Sequence, residues 1–207
     1  MSVVVNHGEF AIRSKMSSSP SKLGPGSLVL VVGPSGSGKD TLLRGAAEQL
    51  VDNPRFVFPK RAITRPSDPN SEVHDTLSML AFSAIEAAGE AAFSWQAHGH
   101  GYVIPKSVEA DIRAGKTVIF NASRSIIEDA QQRYSSVGVL HISVPDHVLR
   151  TRIENRGRET DGDVTQRLSR AKMTWQSTGN IFEIENDGSV EDGVAKMVAA
   201  IHDITAN

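Results

Sequence analysis

The sequence contains no cysteine, so it can form no disulfide framework and offers no thiolate set for zinc. Its seven histidines never fall in a His-Glu-x-x-His spacing, which removes a common histidine-built catalytic metal site. Aromatic residues make up only 5% of the 207. No apolar stretch approaches the roughly 18–20 residues that span a bilayer, so no membrane association is expected. Neither sign of charge dominates: 22 Lys and Arg against 24 Asp and Glu leave a net charge of −2. That balance makes no electrostatic case for nucleic acid. The first 26 residues hold no apolar run of the secretory type, and a cytoplasmic location is the expectation. What remains, 39% apolar and 22% charged residues, is the composition of an ordinary globular chain of single-domain length.

Residues 16–26 are rich in Ser, Pro, Gly and Lys with little to bury, so residues 1–26 read as a mobile tail before a domain over 27–207. From residue 27 the pattern alternates. Residues 27–32 (SLVLVV) form a continuous apolar run, the mark of a strand covered on both faces. A Gly-rich turn and a helix over 39–50 follow. Strands are expected at 56–63, 117–120, 139–144 and 181–185, and helices at 78–88, 105–114, 125–134, 145–155, 164–175 and 190–204. Ser78 is placed to cap the second helix and Gly89 to end it. Residues 93–104 alternate about a His-Gly-His-Gly centre and read as a β-hairpin. Strands separated by helices imply an α/β fold with a parallel sheet covered by helices on both faces.

The most informative stretch is Gly33-Pro34-Ser35-Gly36-Ser37-Gly38-Lys39-Asp40-Thr41. Glycines let successive backbone N–H groups converge on phosphate oxygens, Lys39 serves the β- and γ-phosphates, and the following helix N-terminus favours anions. The stretch lies between a strand and a helix, as a phosphate-binding P-loop requires. ATP with Mg²⁺ is the ligand expected there. The position after Lys39 is usually Ser or Thr, whose hydroxyl binds the magnesium ion; here it is Asp40. A carboxylate is a good ligand for a hard cation, and it also suits a helix N-terminus, so both readings of Asp40 stand.

A second basic motif, Lys60-Arg61-Ala62-Ile63-Thr64-Arg65-Pro66, ends the second expected strand. Arginine forks grip phosphate oxygens in a bidentate way, which suits a phosphorylated acceptor. Further on, Arg150, Arg152, Arg156, Arg158, Arg167 and Arg170 crowd one region among interleaved acidic residues.

These features together resemble the guanylate kinase family across residues 27–207. The resemblance rests on residues 33–41, Thr64-Arg65, Glu72, the hairpin around Phe93-Ser94-Trp95, residues 108–116, Arg156-Gly157 and Asn186-Asp187. Within that family the chain is similar to the members that phosphorylate ribose 1,5-bisphosphate. The similarity lies in Asp40 after the loop lysine, Arg61 through Pro66, Ser94-Trp95-Gln96-Ala97-His98-Gly99, Asn121-Ala122-Ser123-Arg124 and Arg156-Gly157-Arg158-Glu159. The resemblance implies an acceptor-binding insertion around 61–104 and a lid around 155–163. It implies Arg152, Arg156 and Arg167 as lid cations working with Lys39, and Asn186 as an adenine contact. Arg61, Arg65, Glu72 and Arg124, with Gln96, His98 and Asn121 for hydroxyl groups, are implied on the acceptor side.

The departures sharpen that expectation. Where guanylate kinases carry an acidic residue that reads guanine, this chain has Ser94, a poor partner for a base edge offering two donors. The family's second arginine is replaced by Asp68, which would repel phosphate. The implied reaction is ATP-dependent phosphorylation of ribose 1,5-bisphosphate to 5-phosphoribosyl 1-diphosphate, on small-molecule substrates alone. Nucleoside monophosphate kinase activity and a non-catalytic interaction module are the alternatives. His98 and His100 read equally as ligands or as turn residues, and Trp95 reads as core.

Overall fold

The structure, a computed structural model, describes residues 21–66, 74–154 and 180–206. Its spine is strand β1 (Leu23–Val32), and the apolar run within it explains the layering. Leu28, Leu30 and Val32 enter one core, while Val29 and Val31 enter the other, all at 0% exposure. A strand with apolar side chains on both faces is stable only between two layers of cover. Burying each such side chain contributes about 1.5–3 kcal/mol.

Helix α1 (Lys39–Gln49) and the C-terminal helix α6 (Val190–Ala206) supply one layer through Leu42, Ala46, Val194, Met197 and Ile201. Helices α3 (Val108–Arg113) and α4 (Ile127–Arg133) supply the other through Val108, Ile112, Ile127 and Ala130. Between them lies an all-parallel sheet. Strand β7 (Thr117–Asn121) and β8 (Tyr134–Ser143) flank β1, with β2 (Phe56–Val57) and β9 (Asn180–Glu185) at the edges. The order is β2-β7-β1-β8-β9. Helix α5 (Asp146–Glu154) follows β8.

A second, four-stranded sheet forms the insertion. It is ordered β4-β3-β6-β5, from β3 (Ala62–Ile63), β4 (Asp75–Thr76), β5 (Ala91–Ala97) and β6 (His100–Pro105). The β5–β6 hairpin turns through His98 at φ 52° and Gly99 at φ 76°. Two left-handed residues give the hairpin a turn whose twist matches its strands. Helix α2 (Met79–Ala88) precedes the hairpin; Ser78 accepts a hydrogen bond from the Ala81 N–H and Gly89 closes the helix at φ 64°.

Four sequence expectations are corrected. The tail does not extend to residue 26: β1 begins at Leu23, whose carbonyl accepts a hydrogen bond from Ser135 Oγ at 3.0 Å. The Gly and Pro residues that suggested a tail are there for close packing, since a side chain on Gly26 would collide with the carbonyls of Lys116 and Ile112. The expected strand over 56–63 is two strands in two sheets, because the chain leaves the parallel sheet after Val57 to start the insertion. The helix expected at 105–114 begins only at Val108, since Pro105 still belongs to β6. Tyr134 ends no helix but opens β8, five residues before the expected strand. Its ring is buried at 1% exposure and stacks on Phe93 at 5.5 Å. The expected helix at 164–175, the lid at 155–163 and most of the tail lie outside the described residues.

Candidate active site

The carboxyl ends of β7, β1, β8 and β9 open on one edge of the parallel sheet, where ligands bind in folds of this kind. At that edge β1 passes through residues 33–38 into α1. Gly38 caps α1 with φ 89°, and a side chain there would strike Asn186 Nδ2. Asn186 follows β9 and is 5% exposed. Its N–H donates to Ser143 O at 2.8 Å and its Nδ2 donates to Ser37 O at 2.7 Å. The residue expected as an adenine contact is therefore a buried strut that fixes the loop to the ends of β8 and β9.

Lys39 curls back over the loop, with Nζ donating to Gly33 O at 2.8 Å and Pro34 O at 2.7 Å. Across from it stands Arg152 of α5. Its Nη1 is buried, has no hydrogen-bond partner among the described residues, and lies 3.8 Å from where a side-chain carbon on Gly38 would stand. An unsatisfied buried donor costs about 1–3 kcal/mol, more when charged, and an anion in the loop would remove that cost. Ser37 Oγ is likewise buried and without a partner among the described residues. Pro34, Ser35, Gly36 and Thr41 complete the loop and the first turn of α1, with Gly36 at φ 91°.

Asp40 is exposed on the first turn of α1, and Asn121 at the end of β7 reaches it, Nδ2 donating to Asp40 Oδ1 at 2.6 Å. The main-chain oxygen of the same Asn121 accepts from Arg61 Nη1 at 2.9 Å. Arg61 is 7% exposed and lies over the Tyr102 ring, 5.4 Å from its centre; Tyr102 stacks on Trp95 at 5.3 Å. One chain of contacts thus runs from the P-loop helix to the insertion sheet. Trp95, 7% exposed, is part of the core as read. Among the described residues no three His, Cys, Asp or Glu side chains gather to cage a metal. Asp40 alone fits a hard cation that draws its other ligands from phosphates and water, the usual habit of Mg²⁺.

Arg124 follows β7 and its Nη2 lies 3.2 Å from His141 Nε2 on β8. Burial lowers the pKa of Arg124. Burial first, then the charge of Arg124, holds the His141 pKa below its ordinary value, against the opposing pull of Glu183. On the insertion, the carbonyl of half-buried Arg65 accepts from His74 Nε2 at 3.0 Å and Thr76 Oγ1 at 3.3 Å. Gln96 and His98 are exposed at the hairpin tip, where the turn itself accounts for His98. Ser94 Oγ donates to Glu86 Oε1 at 2.8 Å, which pins the hairpin to α2. Glu72, Arg156 and Arg167 lie outside the described residues. His74 and His141 belong to no motif, so sequence reasoning missed both.

A 2-3-1-4-5 arrangement of parallel strands with the P-loop after the central one, and a mixed four-stranded insertion, defines a P-loop kinase of the guanylate kinase fold. The crystal structure of guanylate kinase from Anaplasma phagocytophilum shares that fold, with a TM-score of 0.58 at 15% identity over 90% of this chain and 89% of the other. A family model described as an AAA domain matches residues 29–172. Ribose 1,5-bisphosphate phosphokinase PhnN of Rhodopseudomonas palustris is 46% identical over 151 residues, 72% of this chain and 76% of the relative. The protein of the same name from Methylobacterium radiotolerans is 42% identical over 84% of this chain and 97% of the relative. The chain belongs to the ribose 1,5-bisphosphate phosphokinase family. No helix among the described residues is long and apolar enough to cross a membrane.

Proposed function

We propose that this chain transfers the γ-phosphate of ATP to ribose 1,5-bisphosphate, giving 5-phosphoribosyl 1-diphosphate and ADP. Family membership supports the acceptor. The observation that carries the chemistry is the buried Nη1 of Arg152, without a hydrogen-bond partner among the described residues, beside a glycine-capped loop bearing Lys39.

The loop amides and Lys39 hold the ATP phosphates, and Lys39 exchanges its two carbonyl partners for phosphate oxygens. Arg152 meets the charge that spreads over the transferred group, with Arg156 and Arg167 assigned to the same work from the lid. Asp40 would hold Mg²⁺, which would supply charge neutralisation for the ATP phosphates. Arg65 and Arg124 grip the acceptor's phosphates; Glu72, Gln96 and His98 are assigned to its hydroxyl groups. Arg61 and Asn121 set the distance between insertion and loop. An oxygen of the C1 phosphate attacks the γ-phosphorus, a P–O bond to it forms, and the bond to the β–γ bridging oxygen breaks, releasing ADP. That attacking oxygen is largely ionised at neutral pH, since a phosphate monoester has its second pKa near 6, so no general base is needed.

The competing acceptor is GMP, which the fold accommodates in other enzymes. Ser94 speaks against it, because its hydroxyl is committed to Glu86 and no carboxylate stands at its position to read a guanine edge. Phosphorus NMR of reactions with ATP and either acceptor tests the reading. Diphosphate resonances on the ribose with ADP formation are expected; formation of GDP without a ribosyl diphosphate would overturn it.

A further inference from the structure

His141 sits beside Val32, the residue that leads into the phosphate loop, and opposite Glu183 on β9. It is half-buried and belongs to no part of the machinery described above. An arginine can only donate, so the 3.2 Å contact from Arg124 Nη2 requires a lone pair on His141 Nε2. The imidazole is then neutral with its proton on Nδ1, the nitrogen that lies 3.8 Å from Glu183 Oε1. Among the described residues, Arg124 from the short turn after β7, Lys39 from α1 and Glu183 from β9 bring charge to this ring.

We propose that His141 is a positioning residue for the acceptor phosphate, its Nε2 accepting from Arg124 and fixing where that guanidinium points. The inference rests on the reading that Arg124 binds the acceptor. A guanidinium on a long side chain loses rotamer freedom when it must hold one direction, and a fixed acceptor on the strand beside the P-loop takes that loss before substrate arrives. Glutamate in place of histidine would neutralise the charge needed for phosphate; neutral imidazole orients the fork and leaves its charge intact. The same logic makes the arrangement sensitive to acid. Protonated His141 has no lone pair for Arg124 and becomes a third cation beside Arg124 and Lys39. The depressed pKa keeps the ring neutral at physiological pH, and the hold on Arg124 is lost as pH falls through that lowered value.

Steady-state kinetics of the full chain with ATP and ribose 1,5-bisphosphate test this with three variants. His141→Leu removes the acceptor atom and is expected to raise KM for ribose 1,5-bisphosphate about tenfold, the worth of one such hydrogen bond, with KM for ATP unchanged. His141→Gln can place an oxygen near the Nε2 position but cannot ionise. It is expected to restore KM to within about threefold and to lose one ionisation from the acid limb of kcat/KM. The acceptor's own phosphate titrates in both enzymes, so only the difference between the two profiles counts. Nitrogen-15 NMR of the wild-type protein should show one imidazole, absent from both variants, as the Nδ1–H tautomer. An unchanged acceptor KM in His141→Leu, where Arg124→Ala raises it, would overturn the positioning role alone. If Arg124→Ala also left that KM unchanged, the assignment of Arg124 would fall and the proposal with it. Absence of ribosyl diphosphate product from the wild-type enzyme would instead be failure of the functional reading.

Discussion

Asp40→Asn separates a metal ligand from a helix-terminus charge, because the structure fixes what the change leaves in place. Asn121 Nδ2 donates to Asp40 Oδ1 at 2.6 Å, and an asparagine carbonyl can accept the same bond. What goes is the charge assistance of that bond and the interaction with the α1 N-terminus, together about 1–2 kcal/mol of stability. The effect on a divalent cation is separable. Asp40 is exposed, so the dielectric around it is close to that of water. One unit charge and a doubly charged ion at about 4 Å then interact by about 2 kcal/mol, or roughly thirtyfold in affinity. Initial rates measured against free Mg²⁺ at saturating ATP should therefore show the half-saturating concentration rising about thirtyfold, while thermal unfolding shifts by a few degrees. The contact with Asn121 also makes the pair exchangeable. Asn121→Asp alone puts two carboxylates against each other, whereas Asp40→Ser with Asn121→Asp moves the charge across the contact, so the double variant should outperform Asn121→Asp. Unchanged magnesium dependence in Asp40→Asn would refute the metal role and leave Asp40 as a charge on the helix terminus.

Three further outcomes follow from the same geometry. Lys39→Ala should abolish most turnover at little cost in unfolding temperature, since Nζ meets the carbonyls of Gly33 and Pro34 at the mouth of the loop and not the core; near-normal turnover would remove this loop as the ATP site. Arg65→Ala should raise KM for the acceptor roughly ten- to a hundredfold, from the loss of about 1.5–3 kcal/mol of charge-assisted bonding, and an equal rise for ATP would point to general damage. Tyr134→Phe removes a buried hydroxyl that has no partner among the described residues, so at pH 8 it should be neutral or up to about 1 kcal/mol stabilising by urea denaturation. Burial pushes the Tyr134 pKa up to about 12, from about 10 in the unfolded chain, and the nearby Arg133 cation only partly opposes this. Above pH 10 the unfolded chain loses a proton that the folded protein keeps. The stability present below pH 10 is thus lost as pH rises toward 12, and Tyr134→Phe should lack that slope.

The parallel sheet was legible because its signal is composition along the chain. An unbroken apolar run such as 28–32 has no reading other than cover on both faces, and the alternation of its side chains between two cores follows from strand geometry alone. The insertion was less legible because its strands are two residues long at β3 and β4, too short to show any period. Leu23 and Tyr134 mark a second limit. They pair across β1 and β8, 111 positions apart in number, and each looked like the end of something else when read with its neighbours only.

The site divides along the same line. Residues 33–41 were readable because a phosphate loop needs its glycines and lysine at fixed intervals in one stretch of chain. His141, the bond from Asn186 to Ser37 and the path from Asp40 through Asn121 to Arg61 were not, because each works through a residue distant in sequence. That path bears on specificity. Asn121 offers its side chain to Asp40 and its main-chain oxygen to the insertion's Arg61, so residue 121 ties the P-loop helix to the insertion. An aspartate there would set a carboxylate against Asp40, so a carboxylate after the loop lysine calls for a neutral donor at the end of β7. On the insertion side, Ser94 is tied to Glu86 and Arg61 is packed on Tyr102, which closes the space around the hairpin with fixed side chains in place of a base-reading acid. The departures on the two sides of the crevice meet at one residue, and that continuity is the physical reason to treat them as a single adaptation to an acceptor that presents phosphates and no base.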